Sequence, residues 1–276
     1  FFFQAEDGIR DKLVTGSSDV CSSDLKQIAT AANIPGADLI PETAELFLGF
    51  TSTQKAAFGP GKIANFETLG LIDLRGKDYF ANGTAMHLSH IHEDIEAWYV
   101  NFTFEERVAS AFYPGLKGVK EGQQVVPMGP EQVQSADGVH AAYKTARRIG
   151  HSGPLQTASR LPVPLIATDG THYPKGTAIP IRADFNTIDN PFTWAADPTL
   201  IAEVPAAGVH FLVFNPSSDD FHRTRLAMDG VLGDGTKVDV AARDRAQGFN
   251  SILRTTHRQN FLMPPRRNRS FPLVEV

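Results

Sequence analysis

A dense group of potential metal ligands lies near the middle of the chain, in the segment HLSHIHED. Within eight positions this segment contains three histidines and two acids, namely His87, His90, His92, Glu93 and Asp94. Imidazole and carboxylate groups are both common ligands of transition metals. The spacing therefore raises the question of a metal site.

Local geometry argues against such a site. Residues 84–91 alternate as a β-strand would, which puts His87 and His90 on opposite faces. On a helix, His87 and His90 would lie close together but His92 would be rotated away. Because neither geometry gathers three imidazoles, we favour histidines at the edge or surface of a sheet and keep a metal site as the alternative. The two acids that follow suit the N-terminus of a helix, where negative charge is favourable.

The same segment predicts a junction between a strand and a helix. After Glu93, apolar residues recur at helical spacing, and residues 104–112 continue or restart the helix until Pro114. A second copy appears late in the chain, where an apolar strand over 208–216 precedes a helix over 217–228 that opens with Ser and Asp. Two strand-helix units predict a split βαβ, ferredoxin-like topology.

Other elements are less regular. A short helix and a Pro-bounded loop are predicted over 26–41, and further strands over 44–50, 179–185 and 259–265. Residues 51–80 are rich in glycine and have few periodic apolar positions, which predicts a long ordered loop. Loops of that length inside a compact domain are usually functional.

The overall composition is that of a globular protein. The chain has 276 residues, 42% of them hydrophobic, with a mean hydropathy of -0.19, enough for one large or two small domains. Since no apolar run approaches the roughly 20 residues of a membrane span, none is predicted. A net charge of -5 argues against nucleic acid as a partner, because that role needs a basic surface.

The N-terminal segment is expected to lie outside the natural protein. Residues 1–25 have no amphipathic period and resemble the translated sequencing adapters found at the ends of metagenomic gene models. We expect this segment to be disordered and any export signal to be missing. Its Cys21 is the single cysteine of the chain, so disulfides, thiolate metal sites and cysteine nucleophiles are not expected.

Several stretches follow the order of motifs in the dye-decolourising (DyP-type) haem peroxidase superfamily, which the chain resembles over residues 44–276. The segment NGTAMHLSHIHEDIEAWYVNFTFEERV resembles its strand and Trp-bearing helix. LGFTSTQ stands where the family has Gly-Phe-x-Asp-Gly, IGHSG where it has the proximal haem histidine, and IPIRADF where it has the distal arginine. GVHFLVFNPSSDDFHRTRLAM and NFLMPP match its later strand and helix and its closing strand.

The resemblance implies a fold and a division into domains. The implied fold is α+β and ferredoxin-like, of the dimeric α+β barrel type, with an antiparallel sheet, packed helices and a truncated N-terminal half. Residues 26–79 would be the remnant of that half with the distal loop, and residues 80–276 the C-terminal haem-binding domain. The most similar branch is uncharacterised and often exported by the twin-arginine route, which implies a periplasmic or extracellular location.

The implied cofactor is haem b, with His151 as the axial ligand of the iron. A carboxylate that accepts the other N–H of the imidazole would strengthen this ligand, and Asp229 is the first candidate, with Asp220 second. Without the resemblance, His151 would be interpreted as a loop histidine before a proline turn. Three further residues are expected to contact haem, namely Phe214, Arg258 and Phe261.

Arg182 matches the distal arginine, whose cation would stabilise the anionic oxygen of a peroxide. The chain departs from the family at Ser52, which replaces the distal aspartate, because a serine cannot act as a carboxylate base near neutral pH. Asp184 lies on the same strand face as Arg182 and is the candidate replacement. The alternative is that Asp184 only pairs with Arg182.

The C-terminal tail is locally basic. Its arginines are interleaved with Phe261 and Phe271, as in nucleic-acid-binding segments, but the acidic remainder of the chain disfavours that function. Binding of haem propionates by guanidinium groups is the second interpretation, and solvated surface charge is the third and preferred one. The arginines are Arg254, Arg258, Arg266, Arg267 and Arg269.

Three functions therefore compete. The first is a haem peroxidase that uses hydrogen peroxide to oxidise a small-molecule reductant. The second is a haem or porphyrin binder without turnover, which Ser52 favours. The third is a cofactor-free structural relative, since a fold alone does not establish a function. Missing N-terminal strands would leave apolar surface exposed, and the sequence leaves a homo-oligomer open.

Overall fold

The protein is represented by a computed structural model, in which Ser52 and most of the basic tail beyond Pro265 lie outside the described residues. No helix of the described part has the length and apolar character that a membrane crossing requires. The described residues are 19–44, 46–50, 58–59, 62–63, 79–81, 83–115, 134–166, 170–190, 204–265 and 268.

The described residues form eight strands and six α-helices. The strands are β1 (Phe58–Gly59), β2 (Lys62–Ile63), β3 (Thr84–Glu93), β4 (Leu165–Ile166), β5 (His172–Tyr173), β6 (Ile181–Thr187), β7 (Gly208–Asn215) and β8 (Leu253–Met263). The helices are α1 (Asp19–Ala31), α2 (Ile95–Asn101), α3 (Phe104–Phe112), α4 (Ala136–Ala146), α5 (Ser152–Ser159) and α6 (Ser218–Met228).

The main sheet has four antiparallel strands in the order β6-β7-β3-β8. Along the chain, β3 is followed by helices, then by β6 and β7, then by α6 and β8, which is the βαββαβ order of a ferredoxin-like fold. The α+β class, the antiparallel sheet and the ferredoxin-like topology are therefore confirmed. The barrel type, the domain boundaries and the truncation of an N-terminal half stay predictions.

The junction after β3 forms as its sequence predicts. Asp94 caps α2 by accepting a hydrogen bond from the backbone N–H of Ala97 at 3.0 Å. The helix then ends at Asn101, and Thr103 starts α3 with a capping box that it shares with Glu106. The predicted helical segment is thus two helices with a cap between them.

The strand predicted over 44–50 is wrong, because the described residues 46–49 of this segment form turns and bends. Its carbonyl groups are satisfied by side chains instead of a strand ladder: Trp98 Nε1 donates to Leu48 O at 3.0 Å, and Tyr99 Oη donates to Phe47 O at 2.7 Å. Gly49 adopts a φ of 83°, which breaks an extended run. The apolar character of the segment reflects burial in the core around Trp98.

Three further differences concern the ends and number of elements. β8 starts at Leu253, six residues before the predicted strand at 259, and α1 starts at Asp19, before the predicted helix at 26. α4 and α5 have no counterpart in the sequence prediction. α5 packs against α6, and α6 packs on β3 and β7, so these two helices cover one face of the sheet.

Candidate functional site

A cavity of about 890 Å³ lies between the sheet and the helices α5 and α6. That volume is within the range of pockets that hold large organic ligands. Phe50, Phe112 and Phe249 supply part of its apolar wall, and α6 contributes Phe221. The sequence-predicted residues that line this one cavity are His151, Arg182, Asp184, Asp229 and Arg258.

The sheet wall of the cavity is built from two neighbouring rows of side chains that cross all four strands. In the first row, the residues of β6, β7, β3 and β8 are Arg182, Val213, His87 and Asn260. In the second row, the residues of the same strands are Asp184, Phe211, Ser89 and Arg258. The side chains of β7 therefore form an apolar strip. Polar side chains of β6 lie on one side of it, and polar side chains of β3 and β8 lie on the other.

Arg182 and Asp184 form an ion pair on β6, with 2.8 Å between Nε and Oδ2. The other carboxylate oxygen, Oδ1, is buried and has no hydrogen-bond partner among the described residues. Burial raises the pKa of Asp184, and the neighbouring Arg182 opposes that rise. The pairing that the sequence left as an alternative is present, and one oxygen is left to bind a ligand.

His151 lies at the start of α5, on the helix side of the cavity. Its backbone N–H donates to Ser110 O at 2.7 Å, and its ring stacks on Phe249 with 4.7 Å between centroids. Burial, with a smaller effect from Arg182 and Arg225, lowers the pKa of His151 to about 3. The imidazole is therefore neutral at physiological pH, and its buried Nδ1 has no hydrogen-bond partner among the described residues.

A network of three polar side chains joins β3 to β8. His87 Nδ1 lies 2.7 Å from Asn260 Oδ1, and His87 Nε2 lies 2.5 Å from Ser89 Oγ. The imidazole also stacks on Phe221 of α6, with 3.6 Å between ring centroids. Burial lowers the pKa of His87 despite the hydrogen bond with Asn260. His87 is thus a neutral, firmly held base in the sheet wall.

Glu93, at the end of β3, is a second carboxyl group of this wall. It is 7% exposed, and its Oε2 has no hydrogen-bond partner among the described residues. Burial, and secondarily the charge of Asp184, raises the pKa of Glu93 to about 8. The sequence assigned this residue only to a helix start, a role that Asp94 fulfils instead.

The raised pKa of Glu93 predicts a pH-dependent stability. Since the folded protein holds this proton up to about pH 8 while an unfolded glutamate releases it near 4.5, the free energy of unfolding falls as pH rises between these values. Glu93→Gln should remove most of that fall and be more stable than wild type at pH 9 by up to about 5 kcal/mol. Urea unfolding of wild type and Glu93→Gln at pH 5 and pH 9 measures this difference in the free energy of unfolding.

The matched control is Glu105→Gln, which changes an exposed acid in the first turn of α3. It should leave the pH dependence of wild type unchanged. Equal slopes for wild type and Glu93→Gln would show that Glu93 is ionised in the folded protein.

The cavity is rich in cationic side chains. Among the described residues, no acidic side chain forms an ion pair with Arg243, Arg254 or Arg258. Arg160 also lines the cavity and donates to Gly176 O at 3.3 Å, and burial, followed by the charge of Arg182, lowers its pKa. This surplus of guanidinium groups fits a ligand that carries carboxylates or other anionic groups.

The other predicted site residues lie elsewhere or have other partners. Phe214 and Phe261 project from the other face of the sheet, because they alternate with the cavity-facing residues of β7 and β8, and their contact with haem stays a prediction that this cavity does not support. Asp229 accepts hydrogen bonds from Arg225 and Asn250 at 3.1 and 3.2 Å, and the predicted bond with His151 is not formed. Asp220 instead caps α6 and pairs with Arg223.

The other histidines of the opening segment face away from the cavity. His90 meets His210 and His257 on the neighbouring strands, with 4.5 and 6.4 Å between ring centroids. Burial lowers the pKa of His90, and the charge of His210 adds to this effect. Within the described ranges, no group of three or more histidines, cysteines or acids is arranged to hold a metal ion.

The sequence analysis did not predict the hydrogen-bonded group of His87, Ser89 and Asn260. Strand alternation already placed His87 and Ser89 on one face, which was the available signal. Asn260 is distant in sequence, and only the pairing of β3 with β8 brings it to His87.

Solved structures with a similar fold include a variant of DypB from Rhodococcus jostii RHA1 in complex with heme and the encapsulated DyP-type peroxidase from Mycobacterium smegmatis. The first is 12% identical with a TM-score of 0.44, and the match covers 80% of this chain and 52% of that chain. The second is 12% identical with a TM-score of 0.43, and the match covers 79% and 52%. This chain therefore spans about half the length of those proteins.

No curated protein matches the chain. A family model described as a family of unknown function, DUF7405, matches residues 24–265. These residues include the whole of the main sheet, the helices that cover it and the cavity between them. The chain therefore belongs to the DUF7405 family.

Proposed function

We propose that the cavity binds haem, with His151 as the axial ligand of the iron, and that the protein is a peroxidase-like haem protein. The observation that carries this proposal is the neutral imidazole of His151 in the cavity wall. A neutral imidazole is a common axial ligand of haem iron, because a ring nitrogen has a lone pair to donate.

The remaining residues of the cavity fit the same ligand. Haem is a flat apolar group with two carboxylates at one edge, so its site needs an apolar interior and cations at the rim. The cavity offers Phe211, Phe221 and Phe249 for the first and Arg243, Arg254 and Arg258 for the second. The order of the sequence motifs supports the same assignment.

Haem, when bound, would supply an iron centre that binds peroxide and exchanges electrons. The guanidinium of Arg182 would stabilise negative charge on a peroxide oxygen, because a fixed cation in a buried site acts strongly. Asp184 holds that guanidinium through Oδ2 and can accept a hydrogen bond from a peroxide O–H through Oδ1. The position of Ser52 lies outside the described residues, so Arg182 and Asp184 carry the proposed site.

Haem binding is tested by titrating the full chain with haemin and recording the Soret band. Wild type should saturate at one haemin per chain. His151→Ala should lose or shift this band. It should also bind haemin at least about tenfold more weakly, because even removal of a residue that only supports a metal ligand usually lowers metal affinity by that factor. His172→Ala, a change of an exposed histidine on β5, is the matched control and should behave as wild type.

No specific band with folded wild type would reject haem as the ligand, and an unchanged band in His151→Ala would reject His151 as the axial ligand. Circular dichroism of each variant shows that it is folded.

A second candidate is haem binding without peroxidase turnover. The observation that favours it is Ser52, which cannot act as a carboxylate base. Steady-state oxidation of a dye by hydrogen peroxide separates the two functions, since only a peroxidase should show turnover above that of free haemin.

A further inference from the structure

We propose that His87, positioned by Asn260 and connected to the cavity through Ser89, is the group that takes the proton from an O–H ligand such as hydrogen peroxide. This inference rests on the proposed function, because it assigns a base to the same cavity. Peroxide must lose a proton before its oxygen can bind as an anion, and the aspartate of the family motif is replaced by Ser52. Another group must therefore act as the base, and Asp184 and His87 are two candidates in the sheet wall of the cavity.

The geometry of His87 is that of an oriented base. Asn260 Oδ1 has no proton to give, so the 2.7 Å contact requires that His87 Nδ1 carries the hydrogen. That fixes the tautomer and leaves the lone pair on Nε2, which lies 2.5 Å from Ser89 Oγ. A base held in one tautomer by an acceptor on its second nitrogen is the arrangement found in acid-base catalysis by histidine.

The proton balance closes within the network. A peroxide O–H in the cavity gives its proton to Ser89 Oγ, while the hydroxyl proton of Ser89 passes to His87 Nε2. The bond from Nδ1–H to Asn260 is kept throughout. The products are an imidazolium and a peroxide anion, and no electrons are transferred in this step.

Asp184 is the competing base of the cavity. One of its oxygens is bound to Arg182 at 2.8 Å, so the pair is set up to position a ligand and stabilise an anion. His87 Nε2 contacts the Ser89 hydroxyl and, within the described part of the chain, no cation, so its lone pair can accept a proton without breaking an ion pair. The apolar strip of Val213 and Phe211 separates Asp184 from His87 on the sheet.

Burial is the main cause that lowers the pKa of His87, the hydrogen bond with Asn260 opposes it, and the charge of Arg258 on β8 adds a smaller lowering. The neighbours on β7 and α6 are the uncharged Val213 and Phe221. Other charged groups of the cavity are the Arg182 and Asp184 pair on β6 and Arg225 of α6.

The test measures cyanide association with the haem-loaded full chain. Hydrogen cyanide must lose its proton to bind haem iron as an anion, so a nearby base accelerates binding without any turnover. Stopped-flow absorbance gives the association rate as a function of pH. We expect His87→Gln to lower this rate at neutral pH by roughly a hundredfold, the scale of general base catalysis.

His90→Gln is the matched control, because His90 lies on the same strand but on the opposite face of the sheet. It should keep the wild-type rate. If His87→Gln binds haemin and associates with cyanide as fast as His90→Gln, His87 is not the base and the inference is wrong. It is equally wrong if Asp184→Asn, and not His87→Gln, removes the pH dependence.

Asn260→Asp is a second variant that tests the inference if His87→Gln does not fold. Asn260 is exposed on the edge strand, so this change should leave the fold intact. A carboxylate at this position should raise the pKa of His87. As the pH is lowered, the cyanide association rate should therefore begin to fall at a higher pH than in wild type. An unchanged profile contradicts the positioning role of Asn260. Failure of wild type to bind haemin removes the proposed function itself, and a normal Soret band with unaffected cyanide rates removes only this inference.

Discussion

Replacing Asp184 with asparagine should lower peroxide turnover of the haem-loaded protein by roughly a hundredfold or more, which is the usual effect of removing a group that acts on the transition state. Asparagine keeps the size of the side chain but cannot hold Arg182 by charge. The 2.8 Å ion pair would be lost, and with it the fixed position of the guanidinium. Steady-state oxidation of a dye at saturating peroxide measures the effect.

The matched control is Asp219→Asn, which changes an exposed acid of α6 that pairs with Arg223. It should retain wild-type turnover. The Soret band of Asp184→Asn should be normal, so that loss of turnover is not loss of haem. Unchanged turnover in Asp184→Asn would mean that Asp184 has no part in peroxide chemistry.

Gly150→Ala should destabilise the protein by about 3 kcal/mol, because the new methyl group has no space. It would overlap the backbone N of Tyr113 and lie 2.7 Å from both Ala109 O and Tyr113 O. These are backbone atoms at the end of α3, which cannot rotate away. Because the adjacent His151 N–H donates to Ser110 O, the same shift should displace the axial ligand and weaken haemin binding.

Gly138→Ala provides the control, because a methyl group there would meet only the Ser135 hydroxyl, at 3.2 Å. Gly138 is in the first turn of α4, so alanine should be neutral or slightly stabilising. Thermal unfolding of both variants compares a crowded with an open position. Equal melting temperatures would contradict the close packing of Gly150.

The elements that the sequence predicted well have strong local signals. Residues 84–91 alternate as a strand, within the observed β3, and Ser217 with Asp220 marks the start of α6 by a capping box. α5 carries Gly153 and Pro154 in its first turn, a pair that usually indicates a loop. Proline is tolerated there because the first turn has no helical partner for its N–H. The local pattern therefore could not predict this helix.

The site was predictable only where its residues share a strand or a family motif. Arg182 and Asp184 lie two positions apart on β6, and their common face follows from strand alternation. Phe214 and Phe261 lie on the face away from the cavity, and aromatic character does not say which face of the sheet a residue occupies. The pairing of His87 with Asn260 depends on a register between strands far apart in sequence, which no local pattern contains.

The position of β8 at the edge of the sheet has a consequence for solubility. Among the described strands none pairs with its outer side, and an edge of this kind is a template for strand addition by a second chain. Inward-pointing charges and a bulge oppose such pairing. β8 has both, since Arg258 lies opposite Ser89 on the cavity face and Thr256 is the extra residue where the register with His90 and Ile91 shifts. Arg258, which is assigned to ligand binding, is therefore also expected to oppose edge-to-edge pairing with a second chain.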